Sequence, residues 1–228
     1  MKFWQKIPGF RSGKRWKMGL AVLGYIFIIL IAVTADIASS YIDDSPVSTT
    51  IKPAGEPSGN ALIVYYSLSS KRNDRNYSNV FDGGYCEQTA YAIAHGLVSK
   101  NWEVTLLRVE PNGGNMLHMF NSCGRHAVNI KPLGLNVSNY DLVIIGSPTW
   151  NYGPVAAINT YITGSSNLKG KKVALFATAG GEALPTIQKM QNEVKKQGGN
   201  VTNNLILLSN QTAEAKNLAN EFGEKLGS

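Results

Sequence analysis

The stretch Tyr140 to Ile162, YDLVIIGSPTWNYGPVAAINTYI, decides how the chain reads. It opens with Asp141-Leu142-Val143-Ile144-Ile145, whose apolar run has the length and continuity of a strand buried on both faces. That strand is expected to break at Gly146-Ser147-Pro148, because glycine and proline interrupt a regular ladder. Two aromatic residues, Trp150 and Tyr152, then stand on a tight loop, and a short apolar helix is expected from Pro154. A small-residue turn that carries exposed aromatics is a poor way to build a core. It is a good way to hold a flat, polarisable ring at the carboxyl edge of a parallel sheet.

Strands and helices alternate on both sides of this stretch. Upstream, Ala61 to Tyr66 is a continuous apolar strand. Tyr85 to Lys100 reads as a helix, with Ala90, Ile93, Ala94, Leu97 and Val98 on one face. Val104 to Val109 is a second strand, followed by a long connection over 110–139 with a short helix expected around Met116 to Phe120. Downstream, Val173 to Ala177 is a fourth strand, and Leu184, Ile187, Met190 and Val194 mark a helix face. Val201 to Leu208 is a fifth strand, and a last helix buries Ala215, Leu218, Ala219, Phe222 and Leu226. Near-continuous apolar strands alternating with helices indicate a doubly wound α/β domain: a parallel sheet covered by helices on both faces.

The folded domain is expected to span residues 60–228. Before it, Ile37 to Gly59 is rich in Ser, Thr, Pro and Gly without an amphipathic period, so 36–59 reads as a linker. Met18 to Ala35 carries no charge, and at 1.5 Å per residue it spans about 27 Å, enough to cross a bilayer core. Residues 1–17 hold six basic residues (Lys2, Lys6, Arg11, Lys14, Arg15, Lys17) and no acid, while Asp36, Asp43 and Asp44 follow the run. This asymmetry predicts a single-pass membrane protein with its N-terminus in the cytoplasm and the domain outside. Two other readings stay open: a cleaved signal ending near Val33-Thr34-Ala35, and a buried core helix.

The net charge of +7 is mostly a property of that N-terminal segment. Residues 60–228 hold fifteen basic and eleven acidic residues with no basic run beyond Lys71-Arg72, which gives nucleic-acid binding no support. Cys86 and Cys123 lack zinc-site spacing, and the sequence leaves open whether they pair or stay free. Sequons at Asn76, Asn136, Asn200 and Asn210 fit an exported domain but arise readily in an Asn-rich chain.

Three loops fall at the carboxyl ends of the first, third and fourth strands. Ser67-Leu68-Ser69-Ser70 offers hydroxyls, and a helix N-terminus near Tyr85 would add backbone N–H groups for an anion, although serine is also an ordinary turn residue. Trp150 and Tyr152 would bracket an aromatic ring, or Trp150 would pack beneath its loop. Ala177-Thr178-Ala179-Gly180-Gly181 lets backbone approach a ligand closely, or is a flexible strand-to-helix turn. His118 and His126, in the long connection, read as surface loop histidines, with substrate contact as the alternative.

With ALIVYYSLSS at 61–70, DLVIIGSPTWNYGP at 141–154 and KKVALFATAGG at 171–181, the domain resembles the flavodoxin-like superfamily, particularly its FMN proteins and quinone-reductase-like members. The resemblance covers about residues 60–226 and implies a five-stranded parallel sheet in the order 2-1-3-4-5, here preceded by one transmembrane helix, with FMN bound non-covalently. It implies that Ser67, Ser69 and Ser70 hold the phosphate. Pro148, Thr149, Trp150, Asn151, Tyr152 and Gly153 then form the loop against the isoalloxazine, and Ala179, Gly180 and Gly181 close its other side. One departure stands out. The family's phosphate loop passes directly into the first helix, whereas here KRNDRNYSNVFDGG intervenes after Ser70. The helix opens Gly84-Tyr85-Cys86-Glu87 in place of Gly-Asn-Thr-Glu, so Tyr85 and Cys86 occupy cofactor-binding positions and a thiol replaces a better hydrogen-bonding hydroxyl. Lys71, Arg72 or Arg75 would compensate if they reach the phosphate.

The function that follows is a membrane-anchored FMN protein in electron transfer, or an FMN-dependent reductase, acting with a redox partner protein or a small-molecule acceptor. No acid–base catalyst and no metal site is assigned. The alternative is a flavodoxin-like binding or structural module that has lost FMN through the insertion after Ser70. A hydrolase is poorly supported, because no Gly-x-Ser-x-Gly elbow occurs.

Overall fold

The computed structural model describes residues 22–31, 48–67, 84–111, 118, 121–122, 127–131, 137–165, 167–208 and 212–228. Residues 22–31 form an exposed helix in a compact unit separate from the sheet. They are the described part of the run 18–35. Among the described residues no helix is long and apolar enough to cross a membrane.

The elements of the second unit, in chain order, are β1 (Ser48–Ile51), β2 (Gly59–Tyr65), α1 (Tyr85–Ser99), β3 (Trp102–Arg108), β4 (Glu110–Pro111), β5 (Ile130–Lys131), β6 (Leu142–Trp150), β7 (Gly153–Pro154), α2 (Ala156–Thr160), β8 (Lys172–Ala179), α3 (Leu184–Lys196), β9 (Asn200–Leu208) and α4 (Thr212–Gly227). The sheet order is β1-β3-β2-β6-β8-β9. The pairs β3/β2, β2/β6, β6/β8 and β8/β9 are all parallel, so the five long strands adopt the expected 2-1-3-4-5 order.

Two features depart from the expectations. The segment read as a linker contributes β1, which pairs antiparallel with β3 from Ser48↔Leu107 to Ile51↔Val104. Its sequence, STTI, is β-branched at three positions but only four residues long and mostly exposed, too short to stand out as an apolar run. The second departure is β6, which does not break at Gly146-Ser147-Pro148 but continues to Trp150, pairing with β8 as far as Pro148↔Thr178. Gly146 sits where a Cβ would overlap the fully buried ring of Phe176, so this glycine admits a neighbour instead of ending the strand. The ladder with β2 stops at Tyr65↔Gly146. Pro148 therefore lies where β6 has only β8 beside it, a position at which proline is tolerated. In the long connection, β4 and β5 form a small antiparallel ladder, and the helix expected at Met116–Phe120 lies almost wholly outside the described residues.

Strand alternation sorts the core into two layers. Leu62, Val64, Val143, Ile145, Val173 and Leu175 pack with α2 and α3 on one face. Ala61, Ile63, Leu142, Ile144, Ala174 and Phe176 pack with α1 and α4 on the other. On α3, Ile187, Met190 and Val194 are buried as expected, but Leu184 is 51% exposed: it opens the helix at the sheet edge, beyond the layer its periodicity pointed to.

The α1/α4 contact is set by two glycines. A Cβ on Gly96 would overlap the Asn220 carbonyl, and one on Gly223 would overlap the Ile93 carbonyl. Both obstacles are helix backbone and cannot rotate away. Gly96→Ala or Gly223→Ala is therefore expected to lower unfolding stability by about 3 kcal/mol, outweighing the better helix propensity of alanine, as read by urea denaturation. A change within about 0.5 kcal/mol would show that the helices are free to part.

Candidate functional site

The register sets Tyr65, Gly146 and Phe176 in one row across β2, β6 and β8. The chain leaves the sheet beyond that row at Tyr66-Ser67, at the end of β6, and at Ala179-Gly180-Gly181. The three loops singled out in the sequence thus emerge from adjacent strands at one edge.

The β6 exit is a two-residue hairpin. Thr149 pairs with Pro154 and Trp150 with Gly153, leaving Asn151 (φ 48°) and Tyr152 (φ 57°) as the turn. Two positive φ values suit the twist of a tight hairpin. Asparagine tolerates that conformation, but a tyrosine there costs roughly 1–2 kcal/mol. The Lys189 ammonium, on α3, donates to the Tyr152 carbonyl. That hydrogen bond from a charged group works against the strain, weakened by its exposure to solvent. The two rings of the hairpin differ in role. Tyr152 is 61% exposed. Trp150 is half-buried against the core, edge-on to Tyr66 at 5.7 Å between centroids and tilted to His118 at 5.3 Å. Trp150 therefore does pack under its loop, and it presents one face of a fixed aromatic cluster.

His118 is a correction to the surface reading, being 1% exposed. Its Nε2 accepts the Ala157 N–H at 3.1 Å, Ser122 Oγ accepts that of Ala156 at 2.9 Å, and Ser147 Oγ accepts that of Val155 at 3.0 Å. These side chains satisfy three of the N–H groups at the start of α2. Because Nε2 accepts, the ring hydrogen lies on Nδ1, and burial lowers the pKa to about 4. A neutral, buried cap is no acid–base catalyst, and its contact with Ala157 bridges 39 residues, which no local pattern reveals. His126 lies outside the described residues.

At the β2 exit, Ser67 is buried and its carbonyl accepts Arg108 Nη2 at 3.2 Å. Arg108 is itself buried and ion-paired with Glu110 at 2.7 Å. Ser69 and Ser70 fall outside the described residues, as do Lys71, Arg72 and Arg75. In the first turn of α1 the Tyr85 hydroxyl donates to the Leu208 carbonyl at 3.1 Å, tying the helix to β9. Cys86 is a free thiol 3% exposed within the α1/α4 core. Burial pushes its pKa up, and a hydrogen bond with Thr178 opposes this more weakly. Tyr85 and Cys86 thus make inward contacts. Among the described residues, the helix start at Gly84 has no side-chain cap.

The β8 exit is the most open. Gly180 and Gly181 are exposed, and a Cβ added to either would meet nothing within 4 Å. Neither has a positive φ. Neither packing nor backbone conformation therefore demands glycine at these two positions. On neighbouring β6, the buried Thr149 Oγ1 has no hydrogen-bond partner, an uncommon condition for a buried hydroxyl.

The His118 cap gives a signed pH dependence. Its folded pKa lies below the unfolded value near 6.5, so the unfolded chain takes up the proton first. The cap's contribution is full above pH 6.5 and is lost as pH falls towards 4. Between pH 7.5 and 4.5 this predicts about 2–3 kcal/mol of extra destabilisation relative to His118→Asn, measured by urea denaturation of both proteins at both pH values. Equal losses in the two proteins would rule out the buried neutral cap.

The profile of the family described as Flavodoxin matches residues 112–224. A Bacteroides uniformis ATCC 8492 protein provisionally described as a flavoprotein superimposes with a TM-score of 0.53 at 19% identity, over 70% of this chain and 96% of its own. A second, from Bacteroides eggerthii DSM 20697, gives 0.52 at 20% identity over 72% and 98%. A flavoprotein from Lactobacillus acidophilus NCFM, determined in complex with FMN, gives 0.46 at 20% identity over 71% and 99%. No curated protein matches the chain. At such identities the two Bacteroides structures establish fold alone. The strand order and those two superpositions give this chain a flavodoxin-like α/β fold.

Proposed function

We propose that this chain binds FMN at the β2/β6/β8 edge and works in electron transfer or as an FMN-dependent reductase. The observation that carries the reading is the Gly180-Gly181 turn, where glycine serves neither packing nor φ, on the strand next to the strained hairpin that exposes Tyr152. Space above a glycine pair beside a fixed aromatic cluster suits a planar ring, and the unpartnered Thr149 Oγ1 suits a ring with a polar edge. When bound, FMN supplies the electron- or hydride-accepting ring. The chain supplies position and exclusion of water: the Trp150 hairpin on one side, Ala179 to Gly181 on the other, and the start of α1 with Ser67 to Ser70 towards the phosphate.

We further propose that residues 18–35 anchor the chain in a membrane with the domain outside, supported by the uncharged run and the six basic residues before it. The redox partner, protein or small molecule, then works on the outer side. A second reading is favoured by Cys86, whose thiol is sequestered in the core at a position where the family pattern offers a hydroxyl. In that reading the domain keeps the fold but not FMN.

Titration of the flavin-free full chain with FMN separates the two. Saturable binding with a shifted visible absorbance band is expected, and Trp150→Leu should weaken it about tenfold. A folded chain that leaves the FMN spectrum unchanged supports the cofactor-free module. Alkaline extraction and protease treatment of intact cells test the anchor: retention in membranes and cleavage from outside are expected, whereas release into the supernatant refutes it.

A further inference from the structure

We propose that Lys189 is a positioning residue for the aromatic wall, a role that rests on the FMN reading above. Lys189 sits on α3, which Ile187 and Met190 fix to the sheet. Its side chain passes Gly153: a Cβ there would lie 3.3 Å from Lys189 Nζ, so that the ammonium would have to give by a few tenths of an ångström, and 3.5 Å from its Cδ, an ordinary contact. Glycine at position 153 leaves a slot through which the ammonium reaches the Tyr152 carbonyl. That carbonyl belongs to the residue whose left-handed backbone is least natural for its side chain. The lysine therefore grips the hairpin at its strained point and borrows rigidity from a packed helix. A strained conformation persists only where its surroundings over-determine it, and Lys189 adds a constraint to those of the two ladder pairs of β6 and β7 and of the Trp150 packing. By holding Tyr152 outward it pre-forms the wall before the ring arrives, so that ordering the hairpin is not charged against binding.

The test uses the full chain, flavin-free and loaded with FMN, as wild type, Lys189→Met and Lys189→Arg. Hydrogen exchange over residues 150–154 of the flavin-free protein reads the grip directly. Lys189→Met is expected to speed exchange there at least tenfold and to raise the FMN dissociation constant by a similar factor, while Lys189→Arg, which keeps a donor of the same charge, stays within about threefold of wild type. In a Tyr152→Gly background, where positive φ carries no penalty, Lys189→Met should alter exchange less than about twofold. Unchanged exchange in Lys189→Met overturns the grip, and faster exchange with unchanged FMN affinity overturns its role in binding. Both results leave the FMN reading standing. A wild-type chain that takes up no FMN overturns that reading and the role given to Lys189 together.

Discussion

The fit of the Phe176 ring over Gly146 is the contact on which the rest of the edge depends. It lets β6 run between β2 and β8 without a side chain of its own at the crowded row. Because the strand is not broken there, it carries on past the end of the β2 ladder to Trp150. The hairpin is thus an extension of a central strand and inherits its rigidity. A break at Gly146 would leave Trp150 on a loose loop, away from Tyr66 and His118.

The polar groups of this edge divide into those already used and those still available. Ser147, Ser122 and His118 accept the N–H groups of Val155, Ala156 and Ala157, so these three donors are taken up within the fold. Arg108 is tied to Glu110 and to the Ser67 carbonyl, and so acts on the β2 exit from behind. Cys86 is a free thiol inside the core, with the Thr178 side chain beside it. Among the described residues, the buried Thr149 Oγ1 and His118 Nδ1 have no hydrogen-bond partner, and the glycine turn has open space above it. The ring side therefore rests on shape and aromatic packing, with few charges, as expected for a site that holds a flat cofactor and leaves the chemistry to it.

The doubly wound parallel class was legible because five apolar runs alternate with helical periods, and the strand order was what the resemblance implied. That the three loops share an edge followed from the same order, since loops after neighbouring strands lie side by side. What misled was local. Glycine and proline at 146 and 148 signal a break when read along the chain, whereas their meaning here comes from Phe176 across the ladder and from the end of β2. β1 was hidden because four mostly exposed residues make no pattern until β3 is beside them. His118 and Lys189 gave no signal at all, because their partners lie 39 and 37 residues away. Leu184 kept the right period but sits at the helix start, where the period no longer points into the core.

The central claim is that one sheet edge, built by β2, β6 and β8, holds a flavin ring between the Trp150–Tyr152 hairpin and the Gly180-Gly181 turn. An experimental structure of the full chain with FMN tests it most directly. The account predicts the ring in van der Waals contact with both segments, with the phosphate towards Ser67 and the start of α1. A structure that places FMN elsewhere, or shows this edge closed under saturating FMN, contradicts it.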